Sequence, residues 1–486
     1  MDKAVQPRAE LLRVLGPLTA VALVVGSVIG SGIFKKPQAV AQNVQHFDLA
    51  LAAWVLGGVL ALLGALALAE LGAMLPRAGG NYVYLKEAYG PLWGFLWGWV
   101  EFWILRTGSI AALATIFSES LGEILRARYA LGATDAPAPE VVVFLVSDWG
   151  QRTLTVGVIA FLAVVNALGV RWGGLVQNLT TWVKVGSLVA IGVLPFALGQ
   201  ANPEYLSQPG PAPKAGTLVG FGAAVLGVLW AYHGWMNLSP LGEELRDPQR
   251  NVPRALMLGV GIIILVYVGA NVAYAVVLPQ ATMADTTQVK VVAVSFAQRV
   301  FGPWGPEAQA LAGNAISAAI MVSVFGALNA NILIGPRTYF ALGRDGLFPR
   351  VLGAVHATFR TPVLAILLQA GWAVALVLGS DLIRESASES PFDTLTNYVM
   401  FGAIIFETMV IAAIFIFRRT RPELPRPYRC WGYPVVPIVY VLVMAAVLAN
   451  TVYDQPRKSA WGLVFILAGA GVYFATVWRR FRNGQA

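Results

Sequence analysis

The stretch "VALVVGSVIGSGIFKKP", Val21 to Pro37, is apolar enough to sit in a bilayer, yet Gly26, Gly30 and Gly32 fall in its middle with Ser27 and Ser31 between them. Glycine is worse than alanine in a helix interior by about 1 kcal/mol. An unwound turn at membrane depth also exposes backbone N–H and C=O groups, each costing several kcal/mol unless a partner meets it. The segment therefore reads as a broken membrane helix whose freed groups have a use. The competing reading is close helix packing, because small residues at this spacing also form small-xxx-small contacts.

The rest of the chain fits a membrane setting. Of its 486 residues, 57% are hydrophobic and 12% charged, against roughly 25% charged in a soluble domain; the mean hydropathy is +0.67. Charged and Pro/Gly-rich punctuation divides it into about twelve apolar runs, near 15–43, 48–75, 91–119, 152–170, 173–199, 217–242, 255–279, 307–341, 362–380, 392–417, 434–452 and 460–478. Each approaches the roughly 20 residues that cross a hydrocarbon core. The expected fold is an all-α membrane protein of about twelve transmembrane helices, with nothing left over for a soluble domain. Ala39–Ala41 resembles a signal-cleavage site, but the apolar part is too long and Lys35 and Lys36 sit just before it, so an uncleaved helix is expected.

One cysteine, Cys430, excludes an intrachain disulfide and a thiol metal site. Three histidines and that thiol offer no catalytic cluster, so an enzyme, a metal and a cofactor are not expected. The net charge of +9 arises mostly on one side of the spans, in the terminal segments and the loops holding Arg77, Arg246, Arg344 and Arg418. Lys and Arg gather on cytoplasmic loops, which places both termini in the cytoplasm of a cell-membrane protein. The basic balance is a topology signal; the partners expected are lipid and small molecules, not nucleic acid.

The sixth run answers the first. "LGVLWAYHGWMNLSP", Leu226 to Pro240, interrupts an apolar segment with His233, Gly234, Asn237 and Pro240. Two interrupted segments five spans apart predict inverted five-helix repeats, over 15–199 and 217–417, followed by two helices over 434–478. Residues 1–14 and 479–486 are the cytoplasmic ends. Freed N–H groups at a half-helix N-terminus suit a carboxylate, and freed carbonyls at a half-helix C-terminus suit an ammonium. Two such breaks side by side make a receptor for an α-amino acid. Ser31 and Gly32 are expected at the carboxylate, the Val28 and Ile29 carbonyls at the amine, and those of Trp230 and Ala231 completing the amine site. Gly234 sits at the second break as a further binding residue, and His233 is either hydrogen-bonded within that break and sensitive to neither substrate nor pH, or lies with its ring beside the side chain of the substrate.

These residues also carry a family resemblance. "GSVIGSGIFKKP" resembles the first-helix motif of the amino acid–polyamine–organocation superfamily, and within it the L-type transporters, the light chains of heteromeric amino-acid transporters. "PRAGGNYVYLKEAYGPLWGFLWGWVEFWILR" (76–106), "LWAYHGWMNLSPLGEELRDPQRNVPRA" (229–255), "FGALNANILIGPRTYFALGRDGLFP" (325–349) and "RPELPRPYRCWGYPVVP" (421–437) continue it in order. The resemblance implies a LeuT-like fold and amino-acid transport by alternating access. It implies that Gly30, Ser31 and Gly32 hold the substrate carboxylate and that Trp230 is the outer gate. Lys184, alone in the fifth span, resembles the lysine that stands in for a sodium ion, with carbonyls near Gly26 and polar groups such as Ser323 as partners. Trp230 where phenylalanine is usual, His233 where a small residue is usual, and Met236 depart from the pattern. The light chains carry a cysteine in the loop after the third helix; residues 120–150 have none, so a disulfide-linked heavy chain is not expected.

Glu101 and Arg106 lie five residues apart, about 140° around an α-helix, and are expected to pair with other helices and not with each other. They are read as structural, as is Glu407; Asn329 and Asn331 are weaker signals. The loop 242–255 is expected to hold internal ion pairs, with a possible role in latching the inner gate; Cys430 has no assigned role. Neither break contains Asp or Glu, so the substrate expected is a neutral L-amino acid, taken up by exchange without sodium, and the rings of Trp230 and His233 tighten the pocket toward alanine or serine. Proton-coupled amino-acid or polyamine uptake on the same fold, and a non-transporting amino-acid sensor, are the rival readings.

Overall fold

The computed structural model describes residues 11–129, 138–213, 216–380 and 391–478. Those residues are helical, with only two isolated bridges, Leu15 to Leu245 and Ala78 to Leu241. The helices are α1 (Pro17–Val28), α2 (Gly32–Asn43), α3 (Phe47–Met74), α4 (Asn81–Tyr89), α5 (Pro91–Val100), α6 (Arg106–Arg128), α7 (Glu140–Val146), α8 (Asp148–Ala167) and α9 (Val170–Ala197). They continue with α10 (Thr217–Tyr232), α11 (Pro248–Val277), α12 (Gln280–Ala284), α13 (Val292–Val300), α14 (Pro306–Arg344), α15 (Val363–Leu378), α16 (Pro391–Thr420), α17 (Val435–Asp454) and α18 (Pro456–Val472). Proline opens α1, α5, α11, α14 and α18, where its fixed φ suits the first turn and its missing N–H would have had no partner.

Among the described residues, eleven segments are long and apolar enough to cross a membrane. The other apolar run forms α15, at 16 residues shorter than the rest; residues 381–390, which follow it closely, lie outside the described residues. The first span is two helices, α1 and α2, and the third is α5 and α6 joined through a π-helical turn, Glu101–Leu105. Around α1 and α2 pack α3, α10 and α11 on one side and α9 and α14 on another. Trp54, Tyr232 and Tyr267 form a buried aromatic cluster between α3, α10 and α11.

Both sequence-predicted breaks are present. α1 ends at Val28, Ile29 turns extended (ψ 91°), and α2 begins at Gly32. α10 ends at Tyr232, His233 turns extended (ψ 142°), and Gly234 takes φ +115°. That φ, together with an added Cβ falling 2.8 Å from the Ser27 carbonyl oxygen, confines position 234 to glycine. Beyond it the sixth span continues only as a 3-10 turn, Trp235–Leu238, before Pro240.

Three expectations need correction or completion. Glu101 and Arg106 do face one another: Arg106 donates to Glu101 Oε1 at 2.7 and 3.2 Å. The π turn wraps residues i and i+5 onto one face, where an α-helix would separate them. The ion pairs of Glu243 and Glu244 are not internal to their loop but reach α14, at Arg344 (2.9 Å) and Arg337 (2.7 and 3.1 Å). Cys430 has a structural place. Its N–H donates to Glu70 Oε2 at 2.6 Å, and Glu70 also accepts from Arg418 at 2.7 and 3.0 Å, tying the loop before α17 to α3. Burial, with Glu70 adding to it, pushes the Cys430 thiol up to about 11.

Candidate functional site

Breaking α1 frees the carbonyls of its last turn, from Gly26 to Ile29, and neighbouring helices cap most of them. Lys184 of α9, fully buried, donates to the Gly26 oxygen at 2.6 Å. The Tyr267 hydroxyl of α11 lies 3.2 Å from the Val28 oxygen and 3.0 Å from the Ala231 oxygen, so one group spans both breaks. Ser323 Oγ of α14 lies 3.2 Å from the Ile29 oxygen and 3.1 Å from that of Gly30. Lys184 thus meets the predicted carbonyl, whereas Ser323, named as its second partner, serves the break directly. Among the described residues no donor reaches the Ser27 carbonyl, which makes it the open acceptor of this turn. Each hydroxyl carries one proton, so Val28 or Ala231, and Ile29 or Gly30, also keep acceptor capacity.

On the other side of the break, the first N–H groups of α2 have no intrahelical acceptor. Ser31 makes no side-chain cap bond, and the Ser27 and Ser31 hydroxyls are buried with no partner. Unmet donors therefore face the cavity from the N-terminus of α2, where the helix dipole favours negative charge.

A cavity of about 30 Å³ lies between the two breaks. Seven of the predicted residues line it: Val28, Gly30, Ser31, Gly32, Trp230, His233 and Gly234. Ile29 and Ala231 do not; their carbonyls fasten the breaks to α14 and α11. The glycines differ in purpose. A Cβ on Gly30 would meet Leu113 and Ala327 at ordinary distances of 3.4 and 3.5 Å, whereas one on Gly32 would come within 2.6 Å of the Ala231 backbone. A Cβ on Gly26 would strike Gln177 and Thr181 of α9. The packing explanation of the small residues therefore holds at Gly26 and Gly32, and the open approach to the cavity belongs to Gly30.

Sequence reasoning gave no site role to Ser109, Leu113, Ala327 and Tyr267, named Asn237 only as part of the second break, read Glu407 as structural and held Asn331 as a weaker signal. Asn331 lines the cavity and accepts from Arg106 at 2.8 Å, while Asn329 bonds Asn166 and the Gly173 carbonyl away from it. Glu407 of α16 lies 3.0 Å from His233 Nε2. A second cavity of about 20 Å³ adjoins the first and shares Ser109, His233, Asn237 and Asn331 with it. Its walls include Glu101 and Glu407, so carboxylates do approach the site from other helices, each already paired, with Arg106 and His233. Glu101 Oε2, Asn81 Oδ1 and Trp97 Nε1 in these walls have no protein partner.

At one end of the bundle, α14 is tied to the segment after the sixth span, and that segment to the one before α1. The Glu244–Arg337 pair is fully buried, Leu15 N–H donates to the Glu244 carbonyl at 3.0 Å, and Arg246 N–H donates to the Leu15 carbonyl at 2.9 Å. The arrangement is a polar cavity between two interrupted helices, with donors on one side and acceptors on the other. It suits a small zwitterion, and no group of His, Cys, Asp and Glu that could hold a metal ion is found among the described residues.

Comparison with known proteins agrees in kind. Residues 15–476 match the model of the amino acid permease family. The chain is 33% identical over 470 residues to the serine/threonine exchanger SteT of Bacillus subtilis (strain 168), covering 96% of this chain and 97% of that one. It is 31% identical over 493 residues to the human b(0,+)-type amino acid transporter 1, covering 100% and 93%. It is likewise 31% identical over 477 residues to the rat large neutral amino acids transporter small subunit 2, covering 96% and 81%.

Proposed function

Because this chain belongs to the amino acid permease family, we propose that it exchanges small neutral L-amino acids across the cell membrane, without sodium and by alternating access. The observation that carries this reading is the pairing of unmet donors at the start of α2 with the open Ser27 carbonyl across one cavity. The substrate carboxylate lies at Gly30, Ser31 and Gly32. Its ammonium meets Ser27, with Val28 and Ala231 sharing as Tyr267 allows. Trp230, packed parallel against His233, closes the cavity as the gate.

Lys184 supplies the positive charge beside the α1 break that a sodium ion would otherwise bring. Charge selectivity follows from pairing. Among the described residues no carboxylate lies in the wall of the first cavity, and the two in the second are already matched, so a cationic side chain would be desolvated without a free partner among them. The five-plus-five inverted repeat, over 15–199 and 217–417 with both termini cytoplasmic, gives the two breaks their opposed orientation. The relatives named for a small subunit or a b(0,+) system do not imply a disulfide-linked heavy chain here, because Cys430 is buried.

Counterflow in proteoliposomes with a panel of labelled amino acids tests this. Exchange should persist with choline in place of sodium, with strong competition from alanine and serine and little from arginine. A sodium requirement, or preference for arginine or leucine, would overturn the corresponding part. The part-buried His233–Glu407 pair favours a second reading, proton-coupled uptake; accumulation into empty vesicles driven by a pH gradient alone would select it.

A further inference from the structure

A histidine at the second break is tethered to a carboxylate on α16. His233 Nε2 and Glu407 Oε1 are 3.0 Å apart. A carboxylate without a proton only accepts, so across this contact it pairs with the Nε2–H form of the ring. The ring also lies parallel to that of Trp230, 7° between planes and 6.2 Å between centroids. One contact fixes its plane and the other its rotation, leaving Nδ1 as its remaining polar atom.

The polar wall divides into committed and open groups. Ser109 Oγ donates to the Leu105 carbonyl at 2.7 Å, and Asn331 is occupied at both ends of its amide, by Arg106 and by the Ala327 carbonyl. The Asn237 amide has no side-chain hydrogen bond among the described residues, and the Ser27 and Ser31 hydroxyls have none. The carboxylate and ammonium of the substrate answer groups of the α1 break. They leave His233 Nδ1 and Asn237, which line the side of the second break, for whatever the side chain presents.

We propose that the Glu407–His233 pair makes this site select amino acids whose side chain bears a hydroxyl or carboxamide over apolar ones of the same shape, with Glu407 as the positioning residue for the free ring nitrogen of His233. The proposal rests on the reading of the cavity as an amino-acid site. A hydroxyl both donates and accepts, so it satisfies Nδ1 whether the ring is neutral or protonated. A methyl group in the same place leaves Nδ1 and the Asn237 amide desolvated and unpaired. Sites built to hydrogen-bond a substrate hydroxyl reject the analogue lacking it far more strongly than apolar pockets reject an added one.

Threonine and valine share one shape and differ in this group. In proteoliposomes exchanging labelled alanine, threonine should compete better than valine by roughly ten- to a hundredfold. Glu407→Ala should bring that ratio below about threefold. Glu407→Gln, whose amide oxygen still accepts from Nε2–H, should retain it, and His233→Phe, which keeps a ring but neither nitrogen, should abolish it. A ratio taken within one variant does not depend on how much of it folds; should Glu407→Ala fail to assemble, His233→Phe and Glu407→Gln decide. Equal competition by threonine and valine in the unaltered protein, or a ratio that survives His233→Phe, would overturn the proposal. If no amino acid competes at all, the reading of the cavity itself falls instead.

Discussion

Gly30 and Gly32 are two residues apart and meet different neighbours, so substituting them should fail in different ways. A methyl group at position 30 fits between Leu113 and Ala327 and reaches only the substrate. Gly30→Ala should keep the melting temperature and lose most of the stabilisation that substrate confers. A methyl group at position 32 collides with the Ala231 backbone, an overpacking cost of about 1–3 kcal/mol, so Gly32→Ala should melt lower even without ligand. Thermal melts with and without alanine separate the two. Equal behaviour would mean that Gly30 too is a packing residue. At this scale the sequence discloses the breaks and little of what surrounds them. Ser109, Tyr267, Asn331 and Glu407 are single polar residues in long apolar runs. Nothing in such a run says which side of its helix faces another polar group.

Among the elements, the first span was legible because glycine and serine are poor helix formers wherever they fall. The third was not. Five residues between Glu101 and Arg106 imply opposite faces only if the helix stays α throughout, and the π turn that unites them is a local change of winding with no residue signature of its own. The fifth span lies between these cases. A buried lysine could be noticed, but its contact depends on how α9 crosses α1. Lys184 holds the last turn of α1 by one bond to the Gly26 carbonyl. Lys184→Ala removes that donor and leaves the carbonyl buried, at about 1–3 kcal/mol. The loss falls on the element that must stay unwound, so exchange should slow several-fold while the protein remains folded. A turnover equal to that of the unaltered protein, measured by counterflow, would mean the ammonium is only tolerated.

At the scale of the whole molecule, the loop that follows the sixth span fastens one end of the bundle. Glu244 and Arg337 are both fully buried, and Glu243 pairs with Arg344 nearer the surface. Removing one partner of a buried pair costs about 3–5 kcal/mol, whereas replacing both by apolar groups is often neutral. Glu244→Leu or Arg337→Leu alone should therefore lower the melting temperature strongly, and the double variant should recover much of it. The double variant should still exchange poorly if the pair is also the closing contact of that end. Recovered stability with full exchange would make the pair structural alone. The lysines and arginines of the loops could be counted in the sequence; the partners of Glu243 and Glu244, about a hundred residues away in the chain, could not be read from it.

Tyr267 offers one proton to two carbonyls, Val28 in the first break and Ala231 in the second. Its single proton lies toward one of them or is shared between both. In the proposed amino-acid site, an ammonium on one oxygen would weaken that oxygen's hold on the proton and bias it toward the other. Occupancy of one break would then be felt at the other through the rotation of one O–H bond. Replacing that hydroxyl with hydrogen would leave each break to report on its own occupancy alone.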